Sequence, residues 1–289
     1  MNHNPEIVPR EKLQFGLERD IPKYWLGGDP FKTRFCDSMS TIFPEGERYF
    51  ISCVRDFRDQ VSDPQLQQEI KDFIRQEGQH GMIHRQFNEH LRAQQIDVDK
   101  LEGLTRDFLF NVMRKYFPKK HTLAATAAAE HLTSIAAEAL LERKEVMGDA
   151  DPRMYAMYAW HAMEEMEHKA VAFDVMQKAA KVWYPRRIQT LIEVTIAFNL
   201  HILFYTGYML RKDGFKGLQL IKMFAKGLWW VYGPRGVFTA SWRSYFRYYK
   251  PGYHPWDQKP VSSYPLWLET FNRTGDPVEA GRAVLAVAS

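Results

Sequence analysis

Two stretches of this chain place a glutamate three residues before a histidine, and each stretch has the composition of a helix. They are FIRQEGQHGMIHRQF, with Glu77 and His80, and WHAMEEMEHKA, with Glu165 and His168. On an α-helix each residue turns by about 100°, so residues three apart share one face. Each helix can therefore present a carboxylate and an imidazole to the same neighbour, which strongly restricts how such helices pack.

The second stretch carries further charged groups between apolar neighbours. With His161 set at zero, Glu165 falls at about 40° and His168 at about −20°, so the three share one face. Glu164 and Glu167 fall at about −60° and −120°. We expect His161, Glu165 and His168 to point inward, and the other two carboxylates to turn toward solvent or neighbouring groups.

Two other helical segments each offer one carboxylate in apolar surroundings. Glu47 lies in FPEGERYF, and Glu130 follows three alanines in ATAAAEHLTS. Glu45 is a local alternative to Glu47, but Glu47 shares its helical stripe with apolar residues. Glu138 is an alternative to Glu130, although it lies nearer the charged end of its helix.

The chain is predicted to be all-α, since it lacks hairpin signals and sustained period-2 alternation. Proline at the first turn suggests a helix start near Pro44, and Asp-Pro pairs suggest starts at residues 64 and 152. The helix that starts at 152 is expected to run to about Trp183. Further helices are expected over 101–117 and 121–146. The predicted organisation comprises an irregular N-terminal arm (1–40), a helix bundle (41–183), basic aromatic helices packed on that bundle in the same domain (184–260), and a C-terminal tail (261–289). From residue 270 onward the tail is expected to be frayed or loosely docked.

The order of these motifs along the chain is Glu, Glu-x-x-His, Glu, Glu-x-x-His. This order is the ligand pattern of ferritin-like four-helix bundles that bind two iron or manganese ions. Four carboxylates offset the charge of two divalent cations, and imidazole completes the coordination without adding charge. The pattern predicts a dinuclear site held by Glu47, Glu77, His80, Glu130, Glu165 and His168.

Longer elements of the sequence resemble a known family. FPEGERYF, EGQHGMIHRQFN, AAAEHLT, WHAMEEMEHKAVAFDV and YYKPGYHPW are similar to the bacterial family described as predicted metal-dependent hydrolases. The N-terminal run YWLGGDPFKTRFCDSMSTIFP also resembles the start of that family. The resemblance covers roughly residues 10–260 and implies a metal-dependent enzyme.

The H-x3-E-x2-H run at His161, Glu165 and His168 is also similar to the last ligand helix of p-aminobenzoate N-oxygenase-type di-iron enzymes. This resemblance implies that His161 is a seventh ligand and that Glu77 and Glu165 bridge the metals. A supporting or core role for His161 stays open. His84 matches no ligand position, and we expect it to hydrogen-bond a ligand carboxylate.

The charge is unevenly distributed along the chain. Residues 181–260 hold 13 Lys+Arg, 3 Asp+Glu and 19 of the 41 aromatic residues. Three interpretations are open: helices that cover the bundle with solvated basic residues, a peripheral membrane surface over 186–260, and nucleic-acid binding. The last is not expected because no recognition motif is present. The apolar run 191–210 approaches the length of a membrane span, but Glu193, Asn199 and His201 favour a helix packed on the bundle.

The resulting functional hypothesis is a di-iron oxidase or oxygenase that uses O2 and an electron donor to oxidise a small, lipophilic substrate. A dinuclear metal-dependent hydrolase and a non-catalytic metal-binding protein are the alternatives. Two iron ions are expected, and the same ligands suit manganese or zinc. The first residues lack the apolar segment of a signal peptide, and Cys36 and Cys53 fit no disulfide scaffold, so a cytoplasmic protein is expected, with contact to the inner face of the membrane as an option. The sequence does not indicate the oligomeric state.

Overall fold

The computed structural model describes residues 5–234, 236–239, 241–258 and 260–287, and it confirms the all-α prediction. Within these residues the only β feature is an isolated bridge between Leu26 and Ala150. The principal helices are α1 (Pro30–Arg55), α2 (Pro64–Ala93), α3 (Val98–Arg106), α4 (Lys119–Glu142), α5 (Pro152–His168), α6 (Tyr184–Lys212), α7 (Gly217–Tyr232), α8 (Trp242–Arg247), α9 (Tyr264–Thr274) and α10 (Pro277–Val287).

Four of these helices, α1, α2, α5 and α10, begin with the same Asp-Pro pair. In α10, Asp276 accepts hydrogen bonds from the backbone N–H groups of Val278 and Glu279. Asp63 and Asp151 accept hydrogen bonds from the backbone N–H groups of α2 and α5, as their sequences predict. Asp29 does the same for α1, where Pro30 occupies the first turn. The predicted helix start near Pro44 is therefore wrong, and the irregular N-terminal arm ends at residue 29 rather than 40.

Pro44 lies inside α1, where it cannot donate a backbone hydrogen bond to the carbonyl of Ser40. That carbonyl accepts a hydrogen bond from Nδ2 of Asn88 on α2 instead, at 3.2 Å. The carbonyl that Pro44 leaves free within α1 is therefore used for a hydrogen bond between α1 and α2. A prediction based on proline as a helix starter could not detect this compensation, because the compensating amide lies 44 residues away in sequence.

Several predicted helices change character along their length. The helix predicted over 101–117 begins at Val98 and continues beyond α3 as a π-helical segment, Asp107–Met113, and a short turn, Arg114–Tyr116. The helix predicted to run from 152 to Trp183 ends at His168 as an α-helix. A short helix, Val171–Asp174, and a π-helical turn follow it.

The C-terminal segment is not a frayed tail. Helices α9 and α10 fold back on the bundle, with Trp267, Ala280 and Val284 fully buried. A Cβ atom at Gly281 would lie 2.8 Å from Cα of Ala156, so this glycine allows α10 to approach α5 closely. The polar residues of the tail suggested weak docking, but its buried residues lie at helical spacing on one face.

Helix α6 packs one face against α1 and α4, and Ile202, Tyr205 and Met209 are buried on that side of the helix. Its opposite face is exposed. It is also the one helix of the described chain that is long and apolar enough to cross a membrane, and 22% of its most apolar window is buried. The predicted packing on the bundle therefore applies to one face of α6 only.

Candidate metal centre

Helices α1, α2, α4 and α5 bring the predicted ligands together in the interior. The seven residues are Glu47, Glu77, His80, Glu130, His161, Glu165 and His168, and none is more than 5% exposed. Their ligand atoms form overlapping groups in which all atoms lie within 4.8 Å of one another. One group joins Glu77, Glu130 and His168. The others involve Glu47, His80, His161 and Glu165, together with Glu77 and His84.

Two carboxylates lie between the two halves of this cluster. Oε1 of Glu165 is 3.1 Å from Nε2 of His161, 3.5 Å from Nε2 of His168 and 3.8 Å from Nδ1 of His80. Glu77 belongs both to the group with Glu130 and His168 and to the group with Glu47 and His80. These are the two residues for which the resemblance implies a bridging role.

The cluster contains buried polar atoms without hydrogen-bond partners. These atoms are both carboxylate oxygens of Glu47, Glu77 and Glu130, Nδ1 of His80 and Nε2 of His168. Burying an unpaired carboxylate or imidazole nitrogen is costly, so such atoms are rare and require an explanation. A pair of divalent cations among them would satisfy all of these atoms, and the hard oxygen and imidazole donors suit such ions. The residues therefore fit a dinuclear metal centre.

The electrostatics of the protein without cations lead to the same conclusion. Burial, together with the neighbouring carboxylates, raises the pKa of Glu47 and of Glu130 well above the ordinary value. Burial opposes the charged form of Glu165 too, but the neighbouring His168 and His161 lower the pKa of Glu165 well below its ordinary value. The four carboxylates therefore compete for too little positive charge, which bound cations would supply.

The N-terminal arm provides a residue that the sequence reasoning missed. Arg10 is buried and donates hydrogen bonds to Glu164 at 3.1 Å and to Glu167 at 2.7 Å. Glu167 also accepts from Tyr264 of α9 at 2.7 Å. The carboxylates of Glu164 and Glu167 thus face neighbours rather than solvent, and both are fully buried. Glu164 and Glu167 each follow a methionine in a largely apolar helix, and this was the sequence signal that a cation should be sought elsewhere in the chain.

These carboxylates orient two of the candidate ligand histidines. Nε2 of His80 donates to Glu164 at 3.1 Å, which leaves Nδ1 of His80 facing the cluster. Nδ1 of His168 donates to Gln76 at 2.9 Å, and Gln76 donates in turn to Glu167 at 2.7 Å. Nε2 of His168 therefore faces the cluster. Such outer hydrogen bonds fix the tautomer and the ring orientation of a metal ligand.

His161 is oriented by a different chain of hydrogen bonds. The Ser40 hydroxyl donates to Oδ1 of Asn88 at 2.9 Å, so it accepts from Nδ1 of His84, also at 2.9 Å. Burial lowers the pKa of His84 well below its ordinary value, so the ring is neutral and its Nε2 accepts from Nδ1 of His161 at 2.8 Å. Donation by Nδ1 leaves Nε2 of His161 facing the cluster, 3.1 Å from Oε1 of Glu165. His84 was expected to bond a ligand carboxylate, and it bonds a candidate ligand histidine instead.

The two rival carboxylates are engaged elsewhere. Glu45 accepts from Nε of Arg48 at 2.9 Å. Glu138 accepts from the hydroxyl of Ser244 at 3.0 Å. The geometry therefore agrees with the choice of Glu47 and Glu130 over these two neighbours.

A cavity of about 350 Å³ lies against the cluster, between the π-helical segment Asp107–Met113 and helices α1, α4 and α6. Glu47 and Thr133 form its wall on the cluster side, and the Thr133 hydroxyl donates to Glu165. Most of the remaining wall is aromatic and aliphatic. Exposed residues such as Phe108, Val112 and Phe117 also line the cavity, so it reaches the surface.

Comparison with known proteins supports a metal-dependent role. The model of the family described as predicted metal-dependent hydrolase matches residues 9–259, which include all the candidate ligands. No curated protein and no solved structure matches the chain, so the ferritin-like form of the bundle stays a prediction. The family match covers most of the chain, from the arm that carries Arg10 to the helices beyond α6. The chain belongs to the predicted metal-dependent hydrolase family.

Proposed function

We propose that this protein is a dinuclear metal enzyme that uses O2 to oxidise a lipophilic organic substrate bound in the cavity beside Glu47 and Thr133. One metal ion would be held by Glu77, Glu130, Glu165 and His168. The other would be held by Glu47, His80 and His161 together with the shared carboxylates Glu77 and Glu165. Iron is the expected metal, and manganese and zinc suit the same donors.

The observation that carries this proposal is the position of the apolar cavity against the cluster. The polar side chains in its wall, apart from Glu47, Thr133 and the unpartnered hydroxyl of Tyr49, are already paired. Thr105 contacts His201 at 3.2 Å, and His121 contacts Glu193 at 3.2 Å. A substrate with an apolar body can therefore fill the cavity without leaving these groups unsatisfied.

A bound metal pair would supply redox chemistry toward O2 for oxidation, or a water of lowered pKa for hydrolysis. The chain's own residues would exclude bulk water and hold the substrate. Thr133 would position the carboxylate of Glu165 through its hydroxyl and would present that hydroxyl to the substrate. An external electron donor would be needed for repeated oxidation.

Hydrolysis is the second candidate, and the family description favours it. The character of the cavity argues for oxidation. Cleavage of an ester or amide releases a carboxylate, and an apolar wall offers that charge no partner. Oxidation of a C–H bond or an amine need not create such a group.

The test is a substrate screen of the metal-loaded enzyme in air and under argon, with lipophilic amines, hydrocarbons and esters. Consumption of O2 together with an oxidised product, absent under argon, is the expected result. Product formation that proceeds equally under argon would establish hydrolysis and overturn the oxidation proposal. The Thr133→Val variant serves as a site control because it keeps the side-chain volume and removes the hydroxyl.

A further inference from the structure

Large apolar side chains cover an exposed surface around the mouth of the cavity. On α6, Leu200 is 63% exposed and Phe204 is 62% exposed. Soluble proteins rarely leave a contiguous apolar surface of this kind without a partner. We define the apolar face by its exposed residues: Phe108 and Val112 of the π-helical segment, Ile196, Leu200 and Phe204 of α6, and Leu218, Ile221 and Trp229 of α7.

The three elements of the apolar face are contiguous. One flank of α6 forms the cavity wall, which the π-helical segment closes from the other side through Phe108 and Val112. The other flank of α6 contacts α7, where Gly207 lies against Phe224 and the Tyr232 hydroxyl donates to Asn199. The exposed stripe of α6 thus lies between α7 and the cavity mouth.

Basic side chains border this face. Viewed down the axis of α7, the side chains of Leu218, Ile221 and Trp229 lie within an arc of about 80°. The side chains of Lys222 and Lys226 lie beside this arc, within about 60° of its edge. Both lysines are exposed, and α7 contains no acidic residue. Lys115 and Lys120, also exposed, follow the π-helical segment.

The acidic side chains near the face already have partners, and Asp29 is paired with one of the bordering lysines, Lys226, at 3.7 Å. Asp107 accepts from Asn111 at 3.0 Å, and Glu193 pairs with His121 at 3.2 Å. An apolar stripe bordered by lysines is the pattern of a helix that lies in the plane of an anionic bilayer, with its charged groups at the headgroups.

We propose that the apolar face docks on an anionic lipid bilayer, with α6 and α7 lying in its interface and the cavity mouth opening toward the lipid. A second copy of the chain is a poorer occupant, because a symmetric contact would bring two basic surfaces together. A membrane span is also disfavoured, because α6 packs on α1 and α4 along its inner face. The docking stands independently of the reaction. Entry of the substrate from the bilayer is a separate inference, and it rests on the proposed function.

The first experiment measures flotation of the full chain with vesicles of phosphatidylcholine alone and of phosphatidylcholine mixed with phosphatidylglycerol. Binding is expected with the anionic vesicles and should weaken as salt is added. The Leu200→Ser/Phe204→Ser variant should lose this binding. Val287→Ser, which changes a residue of similar exposure (61%) outside the face, should bind as the wild type does.

The charge requirement is tested with Lys222→Glu, which should weaken binding to anionic vesicles by about fivefold or more. Lys71→Glu on α2 makes the same change at an exposed site away from the face and should have little effect. Metal content should stay unchanged in all four variants. A Glu77→Ala variant should still float with vesicles, so failure of docking is distinguishable from failure of the metal site.

Two results would overturn the proposal. One is equal binding of wild type and Leu200→Ser/Phe204→Ser to anionic vesicles. The other is a wild-type protein that does not bind vesicles but is a dimer by light scattering, while the Leu200→Ser/Phe204→Ser variant is a monomer. The second result would assign the apolar face to contact between copies of this chain.

Discussion

The two sides of the candidate metal centre orient their histidines through different hydrogen-bond networks, one charged and one neutral. On the side of the N-terminal arm, His80 and His168 are held through Glu164, Glu167 and the buried guanidinium of Arg10. On the side of α1, His161 is held by a neutral chain through His84 and Ser40. The first support contains buried charges that stabilise one another, and the second contains none. We therefore expect the first to govern stability and the second to govern metal binding.

The largest expected effect is that of Arg10→Met, which keeps an unbranched side chain and removes the charge. It leaves Glu164 and Glu167 buried without their cation, which should lower the free energy of unfolding by about 3–5 kcal/mol. Denaturant unfolding measures the change. Arg75→Met is the matched control, because Arg75 pairs with Glu11 on the surface, where solvent screens the pair, and its loss should change the stability much less.

A combined Arg10→Met/Glu164→Gln/Glu167→Gln variant tests whether the unpaired buried carboxylates cause the loss of stability. It removes the unpaired charges that the single variant creates, so part of the lost stability should return. If Arg10→Met is as stable as the wild type, the charged support does not stabilise the fold in the way described here.

On the neutral side, Ser40→Ala removes the hydroxyl that accepts from Nδ1 of His84. Loss of an outer hydrogen bond of this kind typically weakens metal binding about 10- to 100-fold. The unfolding free energy should fall by only about 1 kcal/mol, the ordinary value of one buried hydrogen bond. Competition with a chelator measures the affinity. Ser38→Ala, in the same helix and bonded to the carbonyl of Arg34, should leave the affinity unchanged.

The smallest effect is expected from the contact between α1 and α2. A Cβ atom at Gly81 would lie 3.1 Å from Oε2 of Glu47, so Gly81→Ala should displace that carboxylate and weaken metal binding by less than about tenfold. Gly78→Ala, one turn earlier, meets no atom within 4 Å. That control should keep its metal and gain about 0.5–1 kcal/mol of stability. Equal metal affinity in both variants would contradict the close packing of Gly81 on Glu47.

The sequence was informative where the structural signal was local. Glu-x-x-His spacing placed Glu77, His80, Glu165 and His168 on shared faces, and two of the four Asp-Pro pairs were used to mark helix starts. The same signal at Asp29-Pro30 could have corrected the start of α1. The partnership of Arg10 with Glu164 and Glu167 spans more than 150 residues, so no periodicity within a helix could reveal it. The docking of α10 on α5 depends on Gly281, whose role appears only when the two helices meet.

The measurement that tests the central claim most directly is the metal content of the purified protein and of Glu77→Ala, determined by elemental analysis. Glu138→Ala is the control, since Glu138 bonds Ser244 outside the cluster. We predict about two metal ions per chain for the wild type and for Glu138→Ala, and loss of metal from Glu77→Ala, because Glu77 lies between the two halves of the site. Full metal content in Glu77→Ala would contradict the account.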